Sequence, residues 1–208
     1  MKKVILVTII ALTMSLHSYA QFTIGPKAGL NLSTVHSTKV DDYADYKTGL
    51  NAGFFGKYSI NNSFDLQVEL LYAQLGYKDN MPTFDYDGSG FENFNYKLIA
   101  HNLDVPLLVK YNLLGRPWIF FEGGVQLGFS LSNKYSCNDK DVERAMNELK
   151  PEFNTFDFQL LGGLGFYLGS GFSVNARYCH GLTDMMDSGL HMRNRAFQFS
   201  LAYNLWQF

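Results

Sequence analysis

The sequence predicts an all-β protein, an eight-stranded antiparallel up-and-down transmembrane β-barrel, and three observations carry that prediction. Beyond Gln21 the chain reads as eight runs in which apolar and polar residues alternate, the period-two mark of strands with one apolar face. The connections between the runs are alternately tight and long. No later stretch reaches the roughly 18 consecutive apolar residues of a membrane helix, so strands are the only spanning elements on offer.

The N-terminus sets the compartment. Lys2 and Lys3 precede an apolar run from Val4 to Leu16, and Ser18-Tyr19-Ala20 supplies small residues at a cleavage point between Ala20 and Gln21. Residues 1–20 are therefore expected to be a cleaved secretory signal and residues 21–208 one barrel domain. A membrane anchor is the rival reading, but the run is short for roughly 30 Å of hydrocarbon and lacks a stop-transfer flank. The formal net charge of -2 becomes slightly more acidic when the two signal lysines leave, which argues against nucleic acid as a partner.

The strands are expected at about 22–33, 48–60, 63–78, 95–112, 117–132, 154–168, 172–182 and 193–206. Asn61-Asn62, Leu114-Gly115-Arg116 and Gly169-Ser170-Gly171 make the tight turns, from residues that accept turn backbone at low cost. The stretches 34–47, 79–94, 133–153 and 183–192 are long. Short turns on the periplasmic side and long loops outside are the habit of outer-membrane barrels. A soluble lipocalin-like barrel shares the alternation. It is disfavoured here by apolar rows with almost no charge along their middle and by Tyr58, Tyr72, Tyr111 and Tyr178 near the row ends, where headgroups favour amphipathic rings.

One parity of the strands is apolar, as in Leu66, Val68, Leu70 and Tyr72. The other carries Lys27, Lys57, Asp65, Glu69, Asp104, Lys110, Glu122, Asp157 and Arg177. An eight-stranded barrel is just wide enough for side chains to fill it, so these nine residues are expected to form a polar lumen network with nearly balanced signs. The network either closes the lumen or lines a narrow proton or ion path.

Candidate chemistry elsewhere is thin. His101 and His180 fall on the apolar parity, His36 and His191 in expected loops, and Ser130, Ser173 and Ser200 on the lumenal parity, so no nucleophile and base are placed together and no catalytic residues are expected. Asp85-Tyr86-Asp87-Gly88-Ser89-Gly90 has the opening of a calcium loop but no closing Glu at the right offset, so neither metal nor cofactor is assigned. Asp41, Asp42 and Asp45 read the same way.

Asn138 as a cap, Asp139 and Asp141 in a first turn and a Val142, Ala145, Met146, Leu149 stripe ended by Pro151 predict one helix in the third loop. It is either a lid over neighbouring loops or a ridge that binds a partner. Cys137 and Cys179 both lie towards the outer side, and either clamp this loop as a disulfide or stay free thiols. Phe208 is terminal, but its parity opposes the row Phe197 to Leu205. Either a bulge near Trp206 corrects it or the terminal aromatic signal is looser in this chain.

Three stretches carry a family resemblance across nearly the whole mature chain: Gly25 to Leu32, Glu69-Leu70-Leu71-Tyr72 with Gly76-Tyr77, and Leu103-Asp104-Val105-Pro106-Leu107-Leu108-Val109-Lys110-Tyr111. The sequence resembles the PorT-like outer-membrane β-barrels. Pro106, a proline inside a strand, is the most specific of these features and should mark a bulge or a weak point in pairing. The resemblance implies an eight-stranded barrel in the outer membrane of a Gram-negative bacterium, with no catalytic set to carry over. Its partners would be outer-membrane lipid and, through the long loops, other envelope or secretion proteins. Some members act in protein secretion, and a low-conductance porin-like channel is a further alternative.

Overall fold

The computed structural model describes residues 21–37, 45–84, 91–113, 118–137, 140–148, 154–185 and 192–208. The expected signal segment 1–20, Asp41 and Asp42, the turn 114–116, Asp85 to Gly90, Asn138, Asp139, Pro151 and His191 lie outside them. The strands are β1 (Gln21–Ser37), β2 (Asp45–Ser59), β3 (Phe64–Phe84), β4 (Phe91–Asn112), β5 (Ile119–Cys137), β6 (Phe156–Gly169), β7 (Phe172–Gly181) and β8 (Met192–Tyr203), with a short β9 (Trp206–Gln207). One helix, α1, spans Lys140–Glu148 between β5 and β6. Each strand pairs antiparallel with the next, and β1 pairs with both β2 and β8, so the sheet closes on itself and leaves no edge within the barrel wall.

The tight turns have the chemistry their residues suggest. The Asn61 side-chain oxygen accepts from the backbone N–H of Ser63 at 2.8 Å and of Phe64 at 2.9 Å, bending β2 into β3. At the β6–β7 turn Gly169, Ser170 and Gly171 have φ of 79°, 49° and 84°, a left-handed run that two glycines make possible.

Alternation is kept on both faces. Leu66, Val68, Leu70, Leu107, Val109, Phe197, Phe199 and Leu201 are exposed outward, while their sequence neighbours Asp65, Gln67, Glu69, Leu108, Lys110, Gln198 and Ser200 are buried inside. An apolar exterior with a polar interior is the inverse of a soluble protein, and lipid is the solvent that suits it.

At the chain's end, Lys27 pairs with Ala202 and Ile24 with Trp206. Gly25 and Pro26 therefore oppose three residues, Tyr203, Asn204 and Leu205, and this bulge is the correction that Phe208 required. Beyond it Phe208 N donates to Phe22 O at 2.9 Å, and both rings are exposed on the apolar face. The bulge brings the Tyr203 carbonyl so close that a Cβ at position 25 would sit 1.7 Å from its oxygen, so only glycine fits there.

Pro106 weakens pairing without a bulge. Val68 pairs with Leu107 and Leu71 with Asp104 in one register, but the ladder skips the two pairs between them, where Pro106 has no N–H to give.

Several expected loops are shorter than predicted. β3 and β4 continue as a paired hairpin up to Phe84 and Phe91, β5 reaches Cys137, and β1 includes His36. The polar composition of these places suggests loop. Strand pairing above a membrane has water on both faces, and so does not need apolar alternation.

Candidate functional site

The lumen is the site on which the charged residues converge. Lys27, Asp65, Glu69, Asp104, Lys110, Glu122 and Arg177 are buried, and Lys57 and Asp157 are half-buried. They do not form one balanced network, as the sequence suggested, but three tiers along the barrel axis.

The central tier is a closed set of ion pairs. Glu69 Oε1 accepts from Lys27 Nζ at 2.8 Å, from Gln67 Nε2 at 2.6 Å and from Arg177 Nη2 at 2.9 Å, and Glu69 Oε2 accepts from Arg177 Nη1 at 2.9 Å. Arg177 Nε donates to Glu122 Oε1 at 2.9 Å, which also accepts from Asn175 Nδ2 at 2.7 Å. Lys110 Nζ stands 3.7 Å from Glu122 Oε2 and 4.2 Å from the centre of the Phe120 ring. The fork of Arg177 thus ties β7 to β3 and β5 across the lumen, a planar two-carboxylate grip that Lys could not reproduce.

Below this tier a cavity of about 1290 Å³ opens at the end of the tight turns, with Thr23, Lys57, Asp65, Asn112 and Tyr167 in its lining. Asp65 accepts from Asn112 Nδ2 at 3.0 Å, and Lys57 Nζ lies 5.3 Å from the Tyr167 ring centre. Neither residue belongs to the central ion pairs.

Above it the lumen is part apolar and part amide. Leu75, Ala100, Leu108, Leu161, Cys179 and Ala196 make a buried cluster. Gln126 and Gln159 link Asp104 to Asp157 by bonds of 2.9, 3.4 and 2.7 Å. Charge alone does not mark these amides and inward leucines. Doublets such as Leu70-Leu71, Leu107-Leu108 and Leu160-Leu161, which put an apolar residue on each face, were the available signal.

At the rim, α1 confirms the expected helix and packs on β5. Tyr135 N donates to Asn147 Oδ1 at 3.0 Å, Asn147 Nδ2 donates to Tyr135 O at 3.0 Å, and Cys137 N donates to Glu143 Oε2 at 3.0 Å. β6 pairs with β5 only up to Phe129, so side chains of the helix take the place of a missing strand on this edge.

The two cysteines are free, Cys137 half-buried and Cys179 buried. Cys179 pairs with Leu161, and Leu161 pairs with Gly124, while Cys137 lies at the far end of the same β5 strand. Of the two alternatives the thiols take the free one, because register separates them along the barrel wall. His101 faces outward and shares a 2.5 Å hydrogen bond with the Tyr72 hydroxyl, away from lumenal Ser173 and Ser200.

A closed eight-stranded sheet with an apolar exterior and buried ion pairs inside defines a membrane-spanning β-barrel. Among the described residues no helix is long and apolar enough to cross a membrane, and the strands do the crossing. The chain belongs to the outer membrane protein beta-barrel domain family, whose model matches residues 17–187, and it resides in the outer membrane. The fold resembles that of Neisserial surface protein A, with a TM-score of 0.51, 13% identity and coverage of 88% of this chain and 97% of the other. The attachment invasion locus protein Ail of Yersinia pestis, in its heparin-analogue complex, aligns with a TM-score of 0.46, 14% identity and coverage of 91% and 99%. OprG of Pseudomonas aeruginosa aligns with a TM-score of 0.43, 13% identity and coverage of 92% and 97%. No curated protein matches the chain in sequence.

Proposed function

We propose that this protein is a non-enzymatic outer-membrane barrel that acts through its extracellular rim, in contacts with other envelope components or partner proteins, and that its lumen does not conduct. The observation that carries this reading is the Lys27, Glu69, Arg177, Glu122 and Lys110 set, which links opposite walls across the middle of the lumen and closes it above the cavity at the tight-turn end. A porin-like path would have to break these buried pairs. Lipid covers the outer apolar rows, so the rim is the surface left for specific contacts.

The narrower assignment to the PorT-like group, and with it a place beside a secretion machinery, is supported by the Leu103 to Tyr111 segment around Pro106. Site-specific cross-linking from the β3–β4 hairpin in native membranes tests that assignment, with capture of a secretion subunit as the expected result.

Planar-bilayer recording tests the main reading. No discrete conductance is expected from the reconstituted barrel, and steady single-channel steps would overturn the closed-lumen reading. Deleting residues 139–150 should leave a folded, heat-modifiable barrel and remove rim-dependent binding. Loss of folding would show that α1 is part of the scaffold.

A further inference from the structure

In the upper lumen Asp104 and Asp157 have no ion-pair partner among the described residues, while Asp184 nearby is paired with Arg193 at 3.3 Å. Asp104 on β4 and Asp157 on β6 are both register partners of Gly128 on β5. A Cβ at position 128 would lie 3.2 Å from Asp104 Oδ1 and 3.4 Å from the Asp157 Cβ, so the two acidic side chains flank the space left by a missing one.

Their partners are neutral. Gln126 Nε2 donates to Asp104 Oδ2 at 2.9 Å. Gln159 Nε2 and Asn194 Nδ2 each donate to Asp157 Oδ2 at 2.7 Å, and Thr183 Oγ1 donates to Asp157 Oδ1 at 2.7 Å. Among the described residues no Lys, Arg or His is ion-paired with either carboxylate, in contrast to the central tier.

Three oxygens here have no partner although their residues are almost wholly buried: Asp104 Oδ1, Gln126 Oε1 and Asn102 Oδ1, in residues exposed by 0%, 0% and 4%. Asn102 and Asp157, with Ser130, Asn194 and Asp184, line a chamber of about 20 Å³ on the extracellular side; Asp104 and Gln126 are not in its lining, and Asp157 joins it to the gap beside Gly128. That is room for one water-sized occupant.

Buried charges are paired or coordinate a metal, because an isolated carboxylate in a low-dielectric interior is strongly disfavoured. Carboxylate, amide and hydroxyl oxygens, without thiolate or imidazole, suit a hard cation. We propose that Asp104, Asp157, Asn102 and Gln126 form a site for a single calcium-class cation that enters from the extracellular side. It would join β4, β5 and β6 at the level where Thr183, just beyond β7, bonds Asp157, and so brace the base of the fourth loop. This site is independent of whether the rim binds a partner.

Calcium titration of the detergent-solubilised barrel, stripped with EDTA and followed by calorimetry, tests the proposal. One saturable site is expected, with Kd about 0.1 to 1 mM, the range of extracellular calcium modules, and weaker binding of magnesium, which demands a tighter octahedron. Asp104→Asn and Asp157→Asn should each weaken it about tenfold, since ligand charge sets affinity. Gly128→Ala should weaken it while keeping both carboxylates, and Asp79→Asn, on the distant hairpin, should leave it unchanged. Heat-modifiable migration in gels confirms that each variant is folded.

Absence of a saturable calcium site in the wild-type barrel would overturn the proposal whatever the variants do. So would calcium binding that survives in the folded Asp104→Asn, Asp157→Asn double variant. A barrel that binds no calcium but is stabilised by Asp104→Asn would assign the pair a shared proton instead.

Discussion

Replacing Glu69 should harm the barrel more than replacing Arg177, although Arg177 makes the longer reach. The central tier has three cations, Lys27, Lys110 and Arg177, against two carboxylates, Glu69 and Glu122. Arg177→Met removes one cation and leaves two of each sign. Glu69 keeps Lys27 at 2.8 Å and Gln67 at 2.6 Å, and Glu122 keeps Asn175 at 2.7 Å and Lys110 at 3.7 Å. No buried charge is orphaned, so the cost is lost charge-assisted hydrogen bonds, about 1.5 to 3 kcal/mol overall after partial re-pairing. Glu69→Gln leaves three cations facing Glu122 alone, and Lys27 loses its carboxylate. An uncompensated buried charge costs about 3 to 5 kcal/mol. Urea unfolding of the barrel in micelles, read by Trp118 and Trp206 fluorescence at the tight-turn end, measures both. Adding Lys27→Met to Glu69→Gln should recover a large part of the loss, because the orphan is removed. Equal losses for the two single variants, or no rescue in the double, would refute the assignment of Glu69 as the hub.

Two further outcomes follow from where side chains point. Leu70→Arg, in the middle of an outward row where Leu70 pairs with Phe54, should lower barrel stability by about 2 to 4 kcal/mol in lipid vesicles, and an unchanged unfolding midpoint would contradict a lipid-facing row. A maleimide should label half-buried Cys137 in the folded barrel and reach buried Cys179 only after unfolding. Mass spectrometry of unreduced protein should count two free thiols, and a single linked species would contradict the separation of the two cysteines.

The barrel was legible because its causes are local. Alternation and turn residues are properties of adjacent positions, so Leu66 to Tyr72 and Asn61-Asn62 announce their structure directly. Phe208 was legible only as a choice, because a bulge adds one residue and shows up as a broken parity without revealing its place. The lumen was legible in membership but not in arrangement. Lys27, Glu69 and Arg177 are far apart in the chain, and nothing in their spacing says that β7 stands across from β3. Shear and closure decide that, and they belong to the whole sheet. For the same reason Asp104 and Asp157 looked like two more members of a balanced set, until register placed both beside Gly128.

The division into tiers bears on what evolution of such a barrel can change. A lumen packed only with apolar side chains would close as well, and breaking a buried ion pair costs more than a hydrophobic substitute contributes. What ion pairs add is direction: the Arg177 fork fits carboxylates only where β3 and β5 stand at the observed register, so a slipped closure would leave Glu69 or Glu122 unpaired. The wall is thereby specified from inside while its outer face stays free to be uniformly apolar. Above the central tier that demand ends, and there β5 exchanges its neighbour for α1, and Asp104 and Asp157 have no ion-pair partner among the described residues. On the function proposed above, specific contacts belong to that end, where the sheet no longer has to satisfy itself.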